Sequence, residues 1–132
     1  MKVIVAGSRQ LNTFDMVEEA IDDFWLMGNE ITEIVSGGAR GVDRLGERYA
    51  QENKIPLKVF PAEWDKHGKA AGAIRNDQMA NYADALIAVW DEVSRGTGHM
   101  INSARRKGLL VYVKTPGKGL RQITSGPHES SL

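Results

Sequence analysis

The sequence predicts an α/β fold, a three-layer sandwich with helices on both faces of a mostly parallel five-stranded sheet. Two observations carry that expectation. Short β-branched runs alternate with segments of helical apolar spacing from end to end. Glycine-rich turns follow three of those runs, at Gly7, at Ser36–Gly41 and at Arg95–Gly98, where a strand hands over to a helix.

The elements follow in order. Lys2 to Ala6 is a short β-branched run stopped by Gly7 and reads as a buried strand. Phe14, Val17, Ala20, Ile21, Phe24 and Met27 then recur at helical spacing, with Glu18, Glu19, Asp22 and Asp23 on the opposite face. Thr13 is placed to cap this helix and Gly28 to end it. Thr32 to Val35 reads as the second strand, and Val42, Leu45, Tyr49 and Ala50 mark the second helix. Leu57 to Phe60 forms the third strand, bounded by Pro56 and Pro61. Residues 61–72 are polar and irregular, and a third helix runs from about Ala73 to Tyr82. Asp84 to Trp90 is the most continuous apolar strand, which predicts a central position buried on both faces. A helix through Lys107 and a strand from Leu109 to Val113 complete the domain, set at residues 1–113. Residues 114–132 lack a core pattern and are expected to be a loosely attached tail. Right-handed crossovers then favour the order 3-2-1-4-5, with a ligand site where the order reverses.

Composition narrows the function. At 132 residues the chain is one domain, long enough to bury a core without a metal or disulfide. It has no cysteine, which removes thiol catalysis and thiolate metal sites. Lys+Arg and Asp+Glu are both 17, so bulk positive charge is not available to hold nucleic acid or an anionic membrane. No run approaches a membrane span, and the opening strand does not read as a signal peptide, so a cytoplasmic protein is expected. His67, His99 and His128 are scattered without carboxylates at ligand spacing, so neither a metal nor another cofactor is expected.

The glycine turns are where chemistry is expected. In Ser36-Gly37-Gly38-Ala39-Arg40-Gly41-Val42-Asp43, glycines let backbone approach a ligand and the next helix points amides at an anion. Arg40 adds a charge suited to phosphate, and the main anion site is expected there. The spacing fits neither G-x-G-x-x-G nor a Walker A loop. Arg95-Gly96-Thr97 repeats the design, and Gly7-Ser8-Arg9 does so in reduced form. Three such turns at ends that the winding brings together predict a phosphate-bearing small ligand. The stretch holding Trp64, Asp65 and His67, followed by Arg75, is expected to form the selective wall. A plain surface loop anchored by Trp64 is the competing explanation.

These motifs also resemble known families. Ser36 to Asp43 is similar to the Ser-Gly-x-Ala-Arg-Gly-Ile-Asp motif of the DprA family of DNA-processing proteins. Ile74-Arg75-Asn76-Asp77-Gln78-Met79, Ala83-Asp84-Ala85-Leu86-Ile87-Ala88 and Gly96-Thr97 resemble segments of the Lonely-guy (LOG) phosphoribohydrolases. Both families belong to the Rossmann-like SLOG superfamily, and the chain is most similar to its small single-domain branch. The resemblance implies a Rossmann-like nucleotide binder and self-association into a homodimer or larger homo-oligomer. It departs from LOG enzymes where their catalytic glutamate becomes Met100 and the lysine beside Arg75's counterpart becomes Asn76.

Three functions compete. The first is a module that binds a nucleotide or nucleotide-derived ligand. The second is an N-glycosidic-bond hydrolase, with Arg75 on phosphate or ribose and Asp91 or Glu92 as the acid/base. The third is single-stranded DNA binding of the DprA kind. Zero net charge weighs against it, and only Arg105, Arg106 and Lys107 favour it.

Overall fold

The computed structural model describes residues 1–123. The elements are β1 (Lys2–Gly7), α1 (Phe14–Leu26), β2 (Glu33–Ser36), α2 (Val42–Glu52), β3 (Leu57–Val59), α3 (Trp64–His67), α4 (Ala71–Tyr82), β4 (Ala85–Val89), α5 (Arg95–Arg106), β5 (Leu110–Lys114) and β6 (Arg121–Ile123). A 3-10 turn, Gly68–Ala70, links α3 to α4.

The sheet order is β3-β2-β1-β4-β5-β6. The first five strands are parallel, with Ile4 level with Val35 on one side and Leu86 on the other. Alternation along the strands splits the core in two. Val3, Val5, Ile87 and Val89 pack with Val17, Ile21 and Phe24 of α1 and Ala50 of α2. Ile4, Ala6, Leu86 and Ala88 pack with Met79 of α4 and Met100, Ile101 and Ala104 of α5. Helices on both faces make the three layers. Every residue of β4 is buried, as its unbroken apolar run requires.

Three features correct the sequence reading. The sheet has six strands rather than five, because Arg121–Ile123 pairs antiparallel with β5. This falls within the stretch expected to be a loose tail. Its apolar content is slight, with Leu120 and Ile123 packing against the two core clusters; the open edge of β5 supplies the pairing, and Lys114 secures the turn before it. Lys114 Nζ donates to Glu19 Oε1 at 2.7 Å and to the Lys118 carbonyl at 3.0 Å. The rest of the expected tail, from residue 124 onward, lies outside the described residues. Second, the irregular segment 61–72 contains α3 and the 3-10 turn, and α4 already begins at Ala71. Third, Arg95-Gly96-Thr97-Gly98 is no loop but the first turn of α5. Thr13 does precede α1, though its side chain makes no capping hydrogen bond. No described helix is long and apolar enough to cross a membrane.

Candidate functional site

At the carboxyl ends of β1 and β4, where the strand order reverses, a cavity of about 510 Å³ opens. Gly7, Ser8 and Arg9 enter it from the end of β1, Arg75 and Asn76 from α4, and Arg95, Gly96 and Thr97 from α5. Gly7 is required: a Cβ there would lie 2.0 Å from the Val89 carbonyl oxygen. The two strand ends are also tied by Ser8, whose amide donates to the Val89 carbonyl at 3.1 Å and whose hydroxyl accepts the Asp91 amide at 3.0 Å.

The amino end of α5 faces this cavity. Asp91 accepts the Val93 and Ser94 amides at 2.9 and 2.8 Å and the Ser94 hydroxyl at 2.8 Å. These bonds hold the turn but leave α5 without a side-chain cap. The first helical bond runs from the Gly98 amide to Ser94, so the amides of the first turn have no acceptor within the helix. With the dipole of a twelve-residue helix behind them, they suit an anion. Thr97 is buried at this end.

Arg75 is held from two sides. Its Nη1 donates to the Gly37 carbonyl at 2.6 Å and its Nε to Asn76 Oδ1 at 3.1 Å. Asn76 is buried and passes the connection on, donating to the Gly96 carbonyl at 3.2 Å and meeting His99 Nδ1 at 3.1 Å. An amide nitrogen only donates, so this ring carries its proton on Nε2. Burial lowers the Arg75 pKa, and the Asp43 carboxylate works against that shift.

Asp43 also lines the cavity and is buried. Desolvation raises its pKa to about 6, although hydrogen bonds from the Ala39 and Gly7 backbone and the charge of Arg75 pull it down. The Ala39 amide donates to Oδ2 at 3.2 Å. Gly37 lies between the two charged groups: a Cβ on it would fall 2.7 Å from Arg75 Nη1 and 2.9 Å from Asp43 Oδ2.

Several expected residues sit elsewhere. Arg40 is exposed and lines no described cavity. Gly41, at φ +75°, is spent on packing, since a Cβ there would lie 2.6 Å from the Ser8 carbonyl oxygen. Ser36 is fully buried beneath the turn, its hydroxyl donating to Glu47 Oε2 at 2.7 Å and accepting the Gly38 amide at 3.1 Å. Gly37 and Gly38 line a second, adjoining cavity of about 390 Å³, which shares Arg9, Ala39, Trp64 and Arg75 with the first. Of the expected selective wall, Trp64 lines both cavities, whereas Asp65 and His67 line neither. Asp91 and Glu92 are also outside both. Desolvation opposes it, yet the hydrogen bonds from Ser94, Val93 and Ser8 hold the Asp91 carboxyl down at about 2, so it stays an anion that caps a turn. Glu92 is exposed at φ +70°. Trp90 packs against α5, its Nε1 donating to the Ser94 carbonyl at 3.0 Å.

Sequence reasoning did not place Asn76 or His99 in the site as contributors. Asn76 stood beside Arg75 in a quoted motif, and its polarity on a buried helix face was the available signal. Met100, 1% exposed, lines the cavity where the LOG resemblance puts a glutamate. Among the described residues no group of His, Asp and Glu is arranged to hold a metal ion.

Known proteins agree with this architecture. An X-ray structure of DNA processing protein A (DprA) from Streptococcus pneumoniae superposes with a TM-score of 0.70 at 23% identity, over 89% of this chain and 50% of that one. The likeness is one of fold, and the chain spans half the length of that protein. The Gene 61 protein of Mycobacterium phage D29 is 33% identical over 116 residues, 83% of this chain and 93% of the phage protein. The model of the YspA, cpYpsA-related SLOG family matches residues 1–67. With half of the chain matched by that model and a relative similar over nearly its whole length, the chain belongs to the YspA, cpYpsA-related SLOG family.

Proposed function

We propose that the cleft binds a nucleotide or a nucleotide-derived small ligand. One observation carries this reading: Arg9, Arg75 and Arg95 converge with the uncapped amino end of α5 on a single cavity. Guanidinium groups and free helix amides together suit phosphate. The cavity has the size of a small-molecule site, and the exposed indole of Trp64 offers a face on which a base stacks. Titration calorimetry with AMP, ADP, GMP and UMP tests it. Saturable binding is expected, and Arg75→Ala should weaken it roughly 10- to 100-fold, the usual worth of a charged hydrogen bond. Absence of saturable binding across the panel at millimolar concentration would sink the reading.

A second reading, cleavage of an N-glycosidic bond, is favoured by Asp43. It is the carboxyl group at the cavity wall, and a pKa of about 6 leaves it able to give and take a proton near neutrality. In this reading Asp43 takes the role first expected of Asp91 and Glu92, which do not line the cavity. Release of free base from AMP, abolished in Asp43→Asn, is the expected sign. No release by the unmodified protein leaves the binding module as the function.

A further inference from the structure

We propose that His99 is a ligand-contacting residue of the cleft, a hydrogen-bond donor that reads the phosphate bound at the amino end of α5. This rests on the nucleotide reading above and extends it to a residue which that reading did not need. His99 lies four residues after Arg95 and three after Gly96, so the three share one face of α5. Side chains on a helix lean toward its amino end, which brings the ring back toward the turn whose amides are unpaired. The ring is half-buried and lines the first cavity.

What the ring offers the cavity is set by Asn76. Its Oδ1 accepts Arg75 Nε at 3.1 Å, and its Nδ2 donates to the Gly96 carbonyl at 3.2 Å and to His99 Nδ1 at 3.1 Å. Turning this amide over would set its oxygen against the Gly96 carbonyl and its NH2 group against Arg75 Nε–H. Three partners thus fix one orientation. His99 Nδ1 is kept as an acceptor, and the proton stays on Nε2. Among the described residues nothing accepts that proton, and Nε2 is not a buried atom. It is therefore available to whatever occupies the cavity that the ring lines. The neighbouring groups, the unpaired amides of α5 and the guanidinium groups of Arg75 and Arg95, are donors as well. Such a set suits a group made of acceptors alone, which an ionised phosphate is. A histidine kept for structure would need only its Nδ1, on Asn76.

Two substitutions separate a ligand contact from a structural role. His99→Asn keeps a polar atom near the place of Nδ1, for Asn76, and loses the donor at Nε2. His99→Gln instead puts an amide N–H near the place of Nε2. AMP, ADP, GMP and UMP are titrated by calorimetry into the full chain and into both variants. Each nucleotide that binds should bind His99→Asn about tenfold more weakly, the worth of one hydrogen bond to a charged group, and His99→Gln within about threefold of the parent. The loss should not depend on the base, because the contact is to phosphate. Imidazole nitrogen NMR spectra of the parent should show His99 protonated on Nε2 with and without nucleotide. Unchanged affinity in His99→Asn, an equal loss in both variants, a loss that varies with the base, or a ring protonated on Nδ1 would overturn the contact and leave nucleotide binding standing. If none of the four nucleotides binds the parent, the nucleotide reading itself falls and takes this proposal with it.

Discussion

The turn Gly37–Gly41 and the turn Ser94–Gly98 look alike in sequence, each a glycine-rich stretch with an arginine opening a helix, yet they are used differently. The first is tied up internally. Ser36 takes the Gly38 amide, Asp43 takes the Ala39 amide, Arg75 takes the Gly37 carbonyl and Arg44 Nε takes the Gly38 carbonyl at 3.1 Å. Gly37 and Gly41 answer to close packing of protein on protein. The second is anchored outside the helix, by Asp91, and Gly96 in its first turn faces open space: nothing lies within 4 Å of a Cβ there. A glycine can be needed because the protein occupies the space beside it or because a ligand does, and the two demands leave the same letters in the chain.

The sharpest way to break this comparison is Gly41→Ala. It forces a side chain into φ +75° and onto the backbone of Ser8 and Arg9, with approaches of 2.6 and 2.7 Å. Left-handed strain and overpacking each cost ~1–3 kcal/mol, so a loss of about 3–5 kcal/mol is expected in urea unfolding. A loss under about 1 kcal/mol would mean that this turn is not the packed one.

Next in size is the pH response of Asp43→Asn. The folded pKa, about 6, lies above the ordinary 3.8. The protonated carboxyl therefore favours the folded state, an advantage fully present below about pH 4 and lost as pH rises through 6. Above that the buried charge costs stability, on the order of 2–3 kcal/mol for a shift of this size. Asp43→Asn should be more stable than the parent at pH 7–8 and match it at pH 4. Parallel pH profiles for the two proteins would show that Asp43 is not desolvated.

Arginine exchanges sharpen the comparison from the ligand side. Arg95→Ala should weaken ADP binding by about 1–2 kcal/mol, because its charge stands at the cavity mouth, whereas Arg40→Ala should leave it within twofold. A larger loss from Arg40→Ala would return the main anion site to the first turn. The smallest effect is Gly96→Ala, which should raise stability by ~0.5–1 kcal/mol through helix propensity while lowering ADP affinity, since Gly96 lines the cavity. A gain in stability with unchanged affinity would place the ligand away from α5.

Local pattern was enough for the layers, the strand order and the end of the sheet that carries the cleft. Buried strands and amphipathic helices are written as apolar spacing, and right-handed crossovers leave few windings. So Lys2–Gly7, Ala85–Val89 and the alternation of Val3 and Val5 against Ile4 and Ala6 were legible without coordinates. Arg121–Ile123 was not, because three residues with Ile123 as the one apolar side chain carry too little pattern, and the strand is completed by pairing with the free edge of β5. The site divides along the same line. That Arg9 and Arg95 belong together followed from the positions of their turns, whereas Arg75 was placed near them only with the polar stretch expected to form the selective wall. That Arg40 points away, that Asp91 is consumed as a cap and that Asp43 is the carboxyl left at the cavity wall depended on side-chain direction and desolvation. Those are properties of what surrounds a residue in three dimensions, and a chain of letters specifies its neighbours only along the backbone.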